Sequence, residues 1–150
     1  MRLSTDRVYG FPIGPDELWA RIGQVAEFER WWPWLRTFDG DRMSTGEVWR
    51  CTVRPPLPYA VRFTVTIGDV HAARSVSATI SGDIGGIAVL HIEPDSSGCL
   101  VRLFADLAPV KQTLRALSIA ARPIVRFSHD WVLDTGARQF LDHSVPSLGR

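Results

Sequence analysis

Along much of the chain, apolar and polar residues alternate with a period of two, the pattern of strands that bury one face. Tyr59, Val61, Phe63, Val65 and Ile67 alternate with Arg62, Thr64 and Thr66. Before them, Trp49, Cys51 and Val53 alternate with Val48, Arg50 and Thr52, and Glu47 shares the inward phase. Val76, Ala78 and Ile80 stand against Ser75, Ser77 and Thr79, and the run closes at Ser81-Gly82-Asp83. Residues 86 to 93 are more evenly apolar. Their even set, Ala88, Leu90 and Ile92, is uniform, while the other phase contains His91 and Glu93, so the even set is expected inward. After the hairpin signal Pro94-Asp95-Ser96-Ser97-Gly98, the residues Cys99, Val101, Leu103, Ala105 and Leu107 form the inward set of a last strand, with Arg102 and Asp106 outward. Residues 3 to 11 supply a first strand.

Helical spacing takes over in two places. Gly14-Pro15-Asp16-Glu17 is a helix start, with Pro15 at the first position and two acids at the positive end of the dipole. Leu18, Trp19 and Ile22 give this helix a buried side, and Gly23 ends it. A second short helix follows over Val25 to Trp32, with Phe28, Trp31 and Trp32 on one face and Pro33 beyond its end. The longest helical pattern runs from Pro109 to His143. Counted from Leu114, its stripe includes Leu117, Ala121, Ile124, Val125, Ser128, Trp131, Val132 and Thr135, opposite Arg115, Arg126, Asp130 and Asp134. Pro123 removes a backbone donor, so a kink or break is expected near 119 to 123, and with it a candidate hinge for a cavity entrance. Such a helix needs a concave apolar surface to lie in.

Composition narrows the partners. At 150 residues, 45% hydrophobic and 22% charged, the chain is one soluble globular domain spanning residues 1–150. Its net charge of +1 is dispersed, which takes away the electrostatic footprint of a nucleic-acid binder. No run approaches the length of a membrane span and the start lacks a signal-peptide core, so a cytoplasmic location is expected. Cys51 and Cys99 lie in strand-like runs and read as buried free thiols, with a disulfide as the alternative. The four histidines have no metal-ligand spacing, and neither a phosphate loop nor a nucleophile motif is present, so no metal and no cofactor are expected.

One strand, two short helices, a run of antiparallel strands and one long helix make an α+β arrangement. In that order, Phe11 through Trp19, Phe28 through Trp34, Ser81 through Gly86, and His129 through Val132 with Gly136 resemble the START-like (SRPBCC) superfamily. That superfamily includes birch-pollen-allergen-like proteins, polyketide cyclases and lipid-transfer domains. The resemblance implies a helix-grip fold: a seven-stranded antiparallel sheet wrapped around the C-terminal helix, with an apolar cavity between them. It spans carriers, sensors, cyclases and dehydratases and does not choose among them.

The inward sets nominate Trp49, Cys51, Phe63, Val65, Leu90, Leu103, Ile124 and Trp131 as cavity lining. Trp31, Trp32 and Trp34 read as a cluster that anchors its own packing, with a pocket lid as the alternative. Two residues are candidates for acid/base work. Glu47 is the inward-phase acid, expected to reach solvent near a strand start unless it sits at a pocket rim. His129 is placed on the shoulder of the helix stripe, and Asp130, about 100° around the helix, cannot orient its ring. Asp130 is expected to pair with Arg126, and Asp134 with Arg138. The function expected is binding of a small apolar or aromatic ligand. A cyclase- or dehydratase-type enzyme is the alternative, and a ligand-free interaction module the second; oligomeric state is left open.

Overall fold

The computed structural model describes residues 3–55, 60–112, 114–116 and 122–144, the side chains of 122–125, 127, 128 and 144 excepted. Strand β1 (Leu3–Phe11) leads into α1 (Pro15–Ile22), a 3₁₀ turn (Val25–Glu27) and α2 (Phe28–Trp31). The other strands are β2 (Leu35–Asp39), β3 (Val48–Val53), β4 (Val61–His71), β5 (Ser75–Gly82), β6 (Ile84–Asp95) and β7 (Gly98–Pro109), and the long helix α3 spans Arg122–Ser144. All seven strands form one antiparallel sheet in the order β1-β7-β6-β5-β4-β3-β2. The sheet curls into a half-barrel around the helices, and this is the helix-grip fold.

Local chemistry explains the elements. Gly14 caps α1 in an extended conformation, Pro15 follows it, and Glu17 and Arg21 pair across one turn at 2.8 Å. Gly98 opens β7 at φ +146°, and a Cβ there would run into the Phe11 carbonyl oxygen. The period-two sets sort as expected. Cys51, Val53, Ile67, Val76, Ile80, Ile92, Cys99, Val101 and Ala105 are buried, while Arg50, Arg62, His91, Glu93 and Arg102 are exposed. Both cysteines are free and buried, and desolvation pushes the Cys51 thiol up to about 12.

Three features differ from the sequence reading. Strand β2, residues 35 to 39, carried no clear alternation, and its pairing with β3 shifts register between Leu35 and Thr37. A bulge there breaks the period that would have revealed the strand. The final helical pattern does not begin at Pro109, which instead pairs with Ile84 at the end of β7. A helical turn at 112 and 114–116 precedes α3, and Pro123 is the second residue of α3 as described. Residues 117–121, where most of the break and the hinge were expected, lie outside the described residues.

The core gathers at one end. Phe28 is the hub of the aromatic packing, with ring centroids 4.8 Å from Trp32, 5.2 Å from Phe38, 5.7 Å from Trp49 and 5.8 Å from Trp31. Trp31 and Phe140 meet edge to face at 5.3 Å, and Phe140 reaches Phe11 at 5.4 Å. These contacts fasten α2 to the C-terminal half of α3.

Candidate functional site

Three adjoining cavities lie inside the curl of the sheet. The first, about 210 Å³, is bounded by Leu3, Val61, Leu107 and Pro109 on the sheet side and by His129, Val132 and Leu133 of α3. A second, about 270 Å³, lies between the middle of the sheet and an aromatic roof of Phe28, Trp32, Trp34, Phe38 and Trp49. The third, about 220 Å³, runs along α3 past Gly136, Ala137 and Phe140, with Tyr9 on the opposite wall. They share walls: Val53 and Phe63 between first and second, Leu90 and Leu103 between second and third, Val132 and Leu133 between first and third. They are lobes of one interior.

The nominated lining residues divide. Trp49, Cys51, Phe63, Val65, Leu90 and Leu103 all line the second lobe. Trp131 lines none of the three lobes, and the side chain of Ile124 lies outside the described residues. The face that α3 turns inward is His129, Val132, Leu133, Gly136, Ala137 and Phe140, spaced i, i+3, i+4, i+7, i+8 and i+11. The sequence stripe is rotated from this face; its phase was counted from Leu114, across Pro123.

Trp32 and Trp34 were weighed as packing residues, yet they form the wall between the second and third lobes. Their rings stack at 5.6 Å with 25° between planes. The Trp32 indole donates to the Gly136 carbonyl at 2.8 Å and the Trp34 indole to Gln139 Oε1 at 2.8 Å, while Trp49 donates to the Arg42 carbonyl at 2.9 Å. With these N–H groups satisfied by the protein, the aromatic lobe offers a ligand ring surface rather than donors. Gly136 makes the approach possible: a Cβ there would stand 3.1 Å from Trp34 Cζ2. Trp31, by contrast, is wholly buried packing, as its neighbours required. A tight run of tryptophans was the only signal for the wall, and it did not say which rings would face empty space.

The two acid/base candidates end in different settings. Glu47 lines none of the lobes and sits at the surface, 3.6 Å from Arg42. His129 is not on a shoulder but in the wall of the first lobe, with Nε2 2.8 Å from the hydroxyl of Thr5, a residue only 3% exposed. Burial is the main influence on its imidazole and lowers its pKa below the ordinary 6.5; Arg126 and Arg7 push the same way and Asp130 opposes them. Burial therefore favours the neutral form of the ring. Asp130 does not orient it, as its position on the helix required: Asp130 pairs with Arg7 at 3.1 Å and Arg126 at 3.6 Å. Asp134 meets Tyr9 Oη at 2.7 Å and lies 4.0 Å from Arg7, in place of the expected Arg138. Burial, with help from Asp134, raises the Tyr9 phenol well above its usual range.

Among the described residues, no three His, Cys, Asp or Glu side chains are grouped to hold a metal ion, and no helix is long and apolar enough to cross a membrane.

No protein-family model matches the sequence, and no curated protein matches it. Solved structures do share the fold. The Zhui aromatase/cyclase from Streptomyces sp. R1128 superposes with a TM-score of 0.78 at 11% identity, over 96% of this chain and 94% of that one. Norcoclaurine synthase from Thalictrum flavum, in complex with dopamine and hydroxybenzaldehyde, gives a TM-score of 0.64 at 11% identity, over 95% and 88%. Ara h 8.0201 gives 0.63 at 12% identity, over 95% and 100%. At such identities the likeness is one of fold, and that fold is the one the START-like resemblance implied.

Proposed function

We propose that this chain binds a small apolar or aromatic molecule in the interior between the sheet and its helices, as a carrier, a sensor or a sequestering protein. The observation that carries this reading is the unfilled, almost wholly apolar space that remains against β2 to β7 even with five aromatic rings in its wall. Burying about 200 Å² of apolar ligand surface contributes roughly 5 kcal/mol before the entropy of association, so affinity beyond the millimolar range needs a larger buried area or a polar contact as well. Aromatic walls favour planar ligands. The aromatic molecules held by norcoclaurine synthase agree with that preference, on fold likeness alone.

Native mass spectrometry of the purified chain, followed by titration with a lipophilic compound library, tests the proposal. A retained small molecule, or saturable binding that quenches tryptophan fluorescence, is expected. Absence of both would overturn it.

His129 supports a second reading, an enzyme of the cyclase or dehydratase kind. A neutral imidazole in an apolar lobe is able to accept or return a proton beside a sequestered substrate. Glu47, away from the lobes, gives this reading no second group. A ligand converted as well as bound by the wild type, and only bound by His129→Ala, would favour it. The open volume speaks against a module whose own side chains fill the interior.

A further inference from the structure

We propose that His129, held in place by Thr5, is the polar anchor of the interior and selects ligands that carry a neutral hydroxyl on an otherwise apolar body. This inference rests on the binding reading above and names the class of ligand for the same cavity.

The first lobe supplies the contrast. Apart from His129, the side chains that line it among the described residues are all apolar, from Leu3 and Val53 to Leu114 and Leu133. A hydrocarbon would fill the lobe and offer nothing to the imidazole nitrogen that Thr5 does not engage, which is unfavourable for a polar group removed from water. Thr5 engages Nε2 and leaves Nδ1; a hydroxyl both donates and accepts, so it suits Nδ1 in either tautomer of the ring. Thr5 does not itself line the lobe. It sits beside Leu3 in the inward phase of β1, opposite Ala105, and meets Nε2 at 2.8 Å. Its role is to position the ring: with one nitrogen bonded to a buried hydroxyl, the orientation of the imidazole toward the lobe is set.

The charge environment excludes the obvious competitor. Arg7 and Arg126 are both engaged by Asp130, and burial favours the neutral form of the ring, so a ligand carboxylate would enter a lobe that no cation lines among the described residues. A phenol or alcohol brings no such penalty.

Three two-ring probes, naphthalene, 2-naphthol and 2-naphthoate, test this by titration calorimetry at pH 7.5. The readout is the ratio of the dissociation constants of naphthalene and 2-naphthol. In His129→Leu that ratio is expected to fall about three- to ten-fold relative to wild type, the range of one net hydrogen bond, while naphthalene affinity stays within about two-fold. Thr5→Val should lower the ratio in the same direction and Thr5→Ser should restore it. A purely structural role for Thr5 would weaken both probes together and leave the ratio unchanged. 2-Naphthoate is expected to bind more weakly than 2-naphthol to the wild type. His129→Phe, closer in shape to the imidazole, reads the same ratio should the leucine variant not fold. An unchanged ratio in the His129 variants, with both probes still binding, overturns the anchor alone. Binding of neither probe to the wild type overturns the cavity reading and the anchor with it.

Discussion

The two ends of the interior are built from opposite chemistry. Beneath α2, the tryptophans Trp32, Trp34 and Trp49 direct their N–H groups at Gly136, Gln139 and Arg42 and turn their rings toward the space. At the other end, the first lobe keeps one imidazole in an otherwise aliphatic wall. The first arrangement recognises area and planarity, which discriminate weakly. The second recognises a hydrogen bond, which discriminates by leaving a buried polar group unmatched when the wrong ligand enters. A binder that combines them gains affinity at one end and selectivity at the other.

The comparison breaks most visibly at Phe28. Its ring is 4% exposed and touches four other aromatic rings, so Phe28→Ala should destabilise the fold by about 3–5 kcal/mol in urea denaturation. A loss below about 1 kcal/mol would mean that the aromatic end is not the mechanical anchor of α2. Trp32→Phe is a finer cut. It keeps the ring and removes the bond to the Gly136 carbonyl, so about 0.5–1.5 kcal/mol of stability should go, with the preference of 2-naphthol over naphthalene intact. If that variant instead changed the hydroxyl preference, the division of labour between the two ends would be wrong.

The smallest effect is one of pH. Because burial lowers the His129 pKa, the folded chain holds its ring neutral where an unfolded histidine already binds a proton. This contribution to stability is fully present above the ordinary pKa of 6.5 and is lost as the pH falls through the lower, folded value. Relative to His129→Leu, the wild type should therefore lose stability as pH drops from 8 to 5, read as converging or crossing urea midpoints. A difference between the two that does not vary with pH would place the imidazole in water.

How much of this was legible varies by element. β7 was readable almost residue by residue and β4 as far as Ile67, because each strand buries one face and leaves Arg62 or Arg102 on the other; beyond Ile67 a register shift carries β4 on to His71. β2 was not, because its bulge removes the alternation at its start. Of the lining residues, those on strands were found by phase alone. On α3 the same method failed, since Trp131 is the more apolar residue and His129 the one that faces the lobe. Apolarity ranks residues for burial on average; it does not choose between two positions about 200° apart on one helix.

By itself, the sequence determined the α+β order, the inward set of five strands and the apolar character of those inward faces. These follow from local rules, in which period two selects a face and glycine or proline marks an end. Tertiary structure decided which face of α3 looks inward, and that Thr5 and His129, 124 residues apart, share a hydrogen bond. It also decided that Trp32 and Trp34 border open space while Trp31 does not. Those outcomes depend on how a curled sheet meets a helix, and no short window of residues contains that geometry.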